Sequence, residues 1–166
     1  MKNIENPKNK FAVYTCIFGD YDDLHEDYEN EAPDFVDFYL ITDREDIKTK
    51  YYKKIVVEVP DNNFHKTSRY YKINTHVLFS NYERVLYHDG SIKILNNKIK
   101  ELFEETANYD FLAFHHHIRN CTYKEAKNCK IYAIEYSRIV NRQVAMLKKN
   151  HFKKKSRTFC RWFYIP

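Results

Sequence analysis

Arg84-Val85-Leu86-Tyr87 is a short apolar run that reads as a buried strand, and it delivers Asp89 to the strand's end with Gly90 and Ser91 behind it. In open α/β sheets, ligands bind outside the carboxyl ends of the strands. A carboxylate held there can take Mg²⁺ or Mn²⁺, and through the cation a diphosphate, because hard oxygen donors suit those ions. A second acid two positions on would strengthen such a site; here Ser91 stands at that position. The segment has a plainer reading as well, an Asp-Gly turn closing a hairpin between residues 84–88 and 92–95.

Two further groups of residues are equipped for chemistry. Arg69, Lys72 and His76 fall on one stripe of a helix expected over residues 64–79 and could grip a diphosphate, Arg as a fork and Lys as a point charge. A solvated helix face accounts for the same stripe. The other group follows a strand expected at residues 110–114 and comprises His115-His116-His117, Arg119 and Glu125. It offers an imidazole, a cation and a carboxylate within one loop and turn. No Cys or carboxylate spacing completes a structural zinc site around the histidines. Thr122 and Glu125 also have the spacing of a capping box at a helix start.

The elements that must position these residues alternate. Strands are expected at residues 11–18, 38–41, 54–59, 84–88 and 110–114, and helices at 64–79, 97–107 and 126–149, the last with a break near Asn128. In the first helix Tyr70, Ile73 and Val77 share a face; in the second, Ile99, Leu102 and Phe103 form the buried side. Such alternation argues for α/β layers around a mixed, mostly parallel sheet, although the second and third strands could pair as a hairpin.

At 166 residues the chain is expected to form one domain, residues 11–147, between a polar tail at 1–10 and a basic, aromatic tail at 148–166. No apolar run approaches a membrane span, and the first ten residues lack the apolar core of a signal peptide, so a cytoplasmic location is expected. The four cysteines have no Cys-x-x-Cys spacing and are expected as free thiols. Charge is uneven. Residues 1–65 hold 8 Lys/Arg and 15 Asp/Glu, a net of −7, whereas residues 66–166 hold 20 and 8, a net of +12. A basic half suits an anionic ligand, either a sugar nucleotide or nucleic acid, and the run Lys148 to Arg157 suits solvent, phosphate or a membrane surface.

Four segments, in order, resemble the glycosyltransferase-like family of the plant TOD/MUCI proteins and their bacterial and viral relatives. They are Val13 to Asp22, with Gly19-Asp20-Tyr21-Asp22; Phe38 to Asp43; Arg69-Tyr70-Tyr71-Lys72 with His76, followed by the strand ending in Asp89-Gly90-Ser91; and His116-His117-Ile118-Arg119-Asn120-Cys121-Thr122-Tyr123-Lys124-Glu125-Ala126. The match spans about residues 11–145, and Gln143 matches a Gln of the helix that follows in the family. The resemblance implies a GT-A-like, Rossmann-like α/β fold and transfer of a sugar from a nucleotide-sugar donor, a UDP-sugar in expectation, to a glycan hydroxyl. By motif position it implies that Thr15, Tyr21 and Asp43 lie near the base and ribose, that Arg69, Lys72 and His76 bind the nucleotide sugar, and that Asp89 and Ser91 hold either a metal, Mn²⁺ or Mg²⁺, or the ribose. It assigns His116, Arg119 and Glu125 to the transferred sugar or the acceptor, with Glu125 or His116 as the base of an inverting reaction. His117 stands where the family has Pro, and residues 153–166 depart from the family's acceptor-side segment, which reads as truncation. A non-catalytic remnant that binds donor or glycan is therefore one rival. A nucleic-acid-binding module is another, although the chain carries none of the usual nucleic-acid-binding signatures.

Overall fold

The computed structural model describes Ile4, Pro7 and residues 8–26, 32–94, 98–113, 121–132 and 137–152. These fall into two compact units, one holding the described residues up to Leu112 and the other those from Ala113 onward.

The first unit is built on a four-stranded sheet: β1 (Phe11–Ile17), β2 (Val36–Thr42), β3 (Lys53–Val56) and β4 (Arg84–Tyr87), in the order β3-β2-β1-β4. Every pairing is parallel: Phe11 aligns with Val36 and with Arg84, and Tyr39 aligns with Lys53. The alternative of a hairpin between the second and third strands is thereby corrected. Residues 43–52, with no helix among them, return the chain so that β3 runs alongside β2 in the same direction. The sheet is all parallel among the described strands, where a mixed sheet was expected.

Parallel sheets of this type are covered on both faces, so their strands are apolar throughout rather than alternating. All seven residues of β2 are buried. One face, with Tyr14, Cys16, Tyr39, Ile41, Val85 and Tyr87, packs against Leu78, the last residue of α2 (Thr75–Leu78), which follows α1 (Phe64–Ile73), and against Phe79 directly after it. The opposite face, with Val13, Ile17, Phe38, Leu40 and Leu86, packs against Ile99 and Phe103 of α3 (Ile99–Glu105). β3 lies at the edge and is largely exposed; Lys53 and Lys54 there discourage further strand pairing.

The helix expected over residues 64–79 is interrupted at Asn74. Its side-chain amide and its backbone N–H both donate to the Tyr70 carbonyl, at 2.8 and 3.1 Å, which closes α1. Asn63 begins α1, its Oδ1 accepting the Lys66 N–H at 3.0 Å. The face of Tyr70, Ile73 and Val77 is real but points outward, Ile73 being 69% exposed. The residues turned inward are Thr67, Tyr71, Thr75 and Leu78. α3 behaves as its pattern predicts, with Ile99 and Phe103 buried and Leu102 packed beside them.

Residues 110–113 do not form the expected fifth strand. Phe111 is half exposed, so this apolar run finds no sheet edge to pack on, and Phe114 lies outside the described residues. The second unit contains α4 (Thr122–Tyr132) and α5 (Ser137–Lys149). Asn128, the expected break, lies inside α4. Among the described residues no helix is long and apolar enough to cross a membrane, and Cys16, Cys121 and Cys129 are free thiols.

The described part of the N-terminal segment packs on the first unit. Ile4 donates its N–H to the Leu78 carbonyl at 3.0 Å. The Lys8 and Asn9 N–H groups converge on the buried Asp37 carboxylate, at 2.9 and 3.2 Å.

Candidate functional site

After β1 the chain adds β2 and β3 on one side and then crosses over to place β4 on the other. β1 and β4 are therefore neighbours whose connections leave in opposite directions, and the crevice outside their carboxyl ends is the general ligand position of such sheets. Asp89 sits there, two residues past β4. No returning strand follows among the described residues; instead the Ile92 N–H donates to the Asp89 carbonyl at 3.0 Å, closing a turn over residues 89–92. The hairpin reading of Asp89-Gly90 is thus set aside.

The Asp89 carboxylate is built into a cluster on the α1 face of the sheet. Its Oδ1 accepts from the Tyr87 hydroxyl at 2.5 Å and lies 3.4 Å from the Lys72 ammonium. That ammonium is also 4.1 Å from the centre of the Tyr87 ring, a cation–π contact. Tyr87 is held in its protonated form: burial, the nearby Cys16 and the Asp89 charge all push its hydroxyl pKa up. Cys16 lies beneath the pair, and burial raises its thiol well above the ordinary value despite the opposing charge of Lys72, which makes it an inert core residue.

Asp22 approaches from the loop after β1. A Cβ at Gly90 would stand 2.8 Å from the Asp22 Cβ and 3.1 Å from Ile17 Cγ1. Burial and then the like charge of Asp89 raise the Asp22 pKa. Two carboxylates and one ammonium thus meet at one strand end. Gly90→Ala is expected to force the 20–23 loop away and to destabilise the fold by about 1–3 kcal/mol, the usual cost of an overpacked site. Urea unfolding measures this, and Asp22→Gly placed on top of Gly90→Ala is expected to recover part of the loss.

On the other face of β4, His88 is 3% exposed. Its Nδ1 lies 3.0 Å from the Asp89 carbonyl and its Nε2 3.1 Å from the Tyr52 hydroxyl. A carbonyl only accepts, so Nδ1 carries the proton and Nε2 accepts from Tyr52. Burial lowers the His88 pKa to about 4, outweighing the backbone hydrogen bond and the Asp89 charge that favour the cation. His88 is therefore a neutral post that fixes the backbone of Asp89.

The carboxyl ends of β1 and β2 are tied together next to this cluster. Asp43 Oδ1 accepts the Gly19 N–H at 2.9 Å, and the Arg44 guanidinium donates to the Gly19 carbonyl at 3.3 Å. Gly19 has φ +58°, and the Phe64 ring lies 3.4 Å from where its Cβ would be, so a side chain here would be both strained and crowded. Beyond the ends of β2 and β3 opens a solvent-accessible cavity of about 570 Å³, lined by Asp43, Val56, Val59, Asn62 and Phe64 among others. Asp43, Glu58 and Asn62 make part of its wall polar, and three valines with Phe64 make the rest apolar, so it offers both kinds of surface to a partly polar ring system.

Of the residues singled out in the sequence, the fold brings Lys72 and Asp89 into contact and puts Asp43 on the cavity wall. Tyr21 is exposed and meets His65 edge-on, with ring centres 5.6 Å apart. Arg69 is exposed one turn before Lys72, His76 is exposed on α2, and Ser91 is exposed in the turn after Asp89. Thr15 is fully buried inside β1 and has no surface to offer a ligand in this conformation. Glu125 lies in α4 of the second unit, where Cys129 Sγ approaches its Oε1 at 3.6 Å. His116 and Arg119 lie outside the described residues. Among the described residues no three His, Cys, Asp or Glu side chains come together as a ready metal cage. Sequence reasoning passed over Asp22 and His88 as site residues. The repeated acids of Gly19-Asp20-Tyr21-Asp22 signalled the first; nothing in the pattern distinguished His88 from an ordinary strand-end residue.

Compared with known proteins, the chain matches no family model, no curated sequence and no solved structure.

Proposed function

We propose that the first unit is the donor-binding part of a GT-A-like glycosyltransferase domain that binds a nucleotide sugar, in expectation a UDP-sugar, for transfer to a glycan hydroxyl. The observation that carries this reading is the placement of Asp89 with Lys72 and Asp22 at the crevice between β1 and β4. The strand order matches the first four strands of the Rossmann arrangement, which supports a nucleotide as the ligand. The open cavity beside Asp43, with polar and apolar side chains in its wall, supports a place for the base, and the resemblance to the TOD/MUCI family supplies the sugar.

On this reading Lys72 offsets the negative charge that builds on the diphosphate leaving group, and Arg69, one turn earlier on α1, extends the cationic surface. A hard divalent cation fits the donor chemistry: Mg²⁺ binds through one or two carboxylates together with substrate phosphates. Asp89 and Asp22 would hold it, with Ser91 beside them, and it would supply electrostatic stabilisation of the leaving group. Roles for His116, Arg119 and Glu125 on the acceptor side rest on the motif they share with the family.

Thermal unfolding against a panel of nucleotide sugars, with and without Mn²⁺, tests the proposal. A donor at about a hundred times its Kd is expected to stabilise the fold by about 2.7 kcal/mol. Asp89→Asn and Lys72→Gln are expected to unfold at temperatures close to wild type while losing that response. If every nucleotide class leaves the melting temperature unchanged, the donor-site assignment is wrong. A donor response without turnover on soluble glycan acceptors would instead favour the non-catalytic remnant.

A further inference from the structure

We infer that the second unit docks onto an anionic lipid surface through α5, lying in the headgroup layer rather than crossing it. This is independent of the donor site. α5 carries Arg138, Arg142, Lys148 and Lys149 and no acidic residue. At 3.6 residues per turn, Ile139, Val140, Val144, Met146 and Leu147 fall on one side and the four cations on the other. Val140, Val144 and Leu147 are half-buried. Ile139 and Met146, one edge of the same apolar side, are 55% and 57% exposed. That edge adjoins Arg142 on the helix surface.

α4 adds to the pattern. Lys124 and Lys127 are exposed, and Ile131, one turn beyond Lys127, is exposed with them. At the far end of α5, His151 takes a left-handed conformation with φ +54°. Its N–H bonds to the Lys148 carbonyl and the Phe152 N–H to the Leu147 carbonyl, which stops the helix. The Tyr123 hydroxyl then holds the Phe152 carbonyl at 2.9 Å, leaving the Phe152 ring partly exposed. Isolated apolar side chains set among cations, on a helix of low overall hydrophobicity, are the features of a helix that rests in the membrane interface.

The charge selects the occupant. From Tyr136 to Pro166 the sequence has nine Lys or Arg and no Asp or Glu. Anionic lipid headgroups complement that run, each nearby cation adding to the attraction. A second copy of the chain would bring two cationic surfaces together. Nucleic acid would satisfy the cations but gives Ile139 and Met146 no role, since bases stack on aromatic or guanidinium planes.

Co-sedimentation of the full-length chain with vesicles tests this. On phosphatidylcholine vesicles with about 30% phosphatidylserine, at about 0.1 M NaCl, the partition coefficient is expected to exceed that on pure phosphatidylcholine at least about tenfold, and to fall at about 0.5 M NaCl. Ile139→Asn with Met146→Asn, and separately Arg138→Gln with Arg142→Gln, are each expected to cut binding about tenfold with unchanged circular dichroism and melting temperature. Ile139→Ala with Met146→Ala, which keeps the helix propensity, is expected to weaken binding in the same direction. Equal binding to both vesicle types, or none, overturns the proposal. So does binding that ignores the Ile139 and Met146 changes, because the basic tail alone would then account for it. Binding to single-stranded DNA or RNA with no vesicle binding replaces it with the nucleic-acid reading.

Discussion

Asp37→Ala is expected to lower the unfolding free energy by about 3 kcal/mol, because it strips the shared acceptor from the buried Tyr82 hydroxyl and from three part-buried donors. Asp37 is 4% exposed near the start of β2. Its carboxylate accepts from the Lys8 N–H at 2.9 Å, from the Asn9 N–H and side-chain amide at 3.2 Å each, and from the Tyr82 hydroxyl at 2.8 Å. Tyr82 in turn meets the Tyr39 hydroxyl at 2.7 Å. The acid therefore joins the N-terminal segment, the turn before β4 and the middle of β2. Burial alone would raise its pKa, but the Tyr82 and Asn9 hydrogen bonds, the Lys53 charge and the Lys8 hydrogen bond together outweigh burial and lower it. Such a group stabilises the fold above the ordinary carboxylate pKa, and the contribution disappears as pH falls through the depressed value. Lys53→Ala is expected to cost less than about 1 kcal/mol, since that ammonium is half exposed and 3.6 Å away. Urea titration measures both, with an unchanged slope showing that only stability has moved. Because Asp37 lies at the opposite end of the sheet from Asp89, the nucleotide response is expected to survive in Lys53→Ala. An Asp37→Ala protein as stable as wild type would show that these donors find water instead.

Acid titration is expected to weaken the fold in an earlier window as well, through His88. The native pKa is about 4. In the unfolded chain it is the ordinary value of about 6.5. Between those values the unfolded chain binds the proton and the native chain does not, so stability falls as pH drops from about 6.5 to about 4 and this contribution then levels off. The loss amounts to about 3 kcal/mol on the scale of 1.36 kcal/mol per pKa unit. His88→Gln does not titrate and is expected to flatten the profile in that window while leaving the steeper loss at lower pH, where carboxylates such as Asp37 protonate. Unfolding free energies measured between pH 7 and pH 3.5 on both proteins decide the matter; parallel profiles would rule out His88 as the source. Protonating His88 also breaks the hydrogen bond from Tyr52 to Nε2, so the strand-end position of Asp89 is expected to loosen in the same window.

The candidate site was partly legible in the residues alone. Asp89 announced itself because an acid and a glycine directly after an apolar run mark a strand end, and Lys72 stood out as a cation on a helical stripe. The stripe's other members, Arg69 and His76, have the same spacing but remain exposed, because helical period tells which residues share a face and not what the face meets. The same limit applies to Tyr70, Ile73 and Val77, which share a face as their spacing requires, a face that the structure turns to solvent. Thr15 was placed near a ligand by its motif, yet it is enclosed by the sheet, where burial depends on both covering layers.

Strand existence for β1, β2, β3 and β4 and the α/β class followed from local composition: short β-rich runs bounded by turn residues, alternating with helical periodicity. Pairing did not. Whether β3 ran parallel or antiparallel to β2, and that β1 sits between β2 and β4, depended on which arrangement buries both faces of the sheet, a property of residues far apart in the chain. The approach of Asp22 to Gly90, 68 positions away in sequence, and the clasp of Tyr52 on His88 belong to the same category. Local sequence determined the chemistry available at each strand end; the parallel packing of the sheet decided which of those ends meet, because only the folded layers bring separate strand termini to one edge.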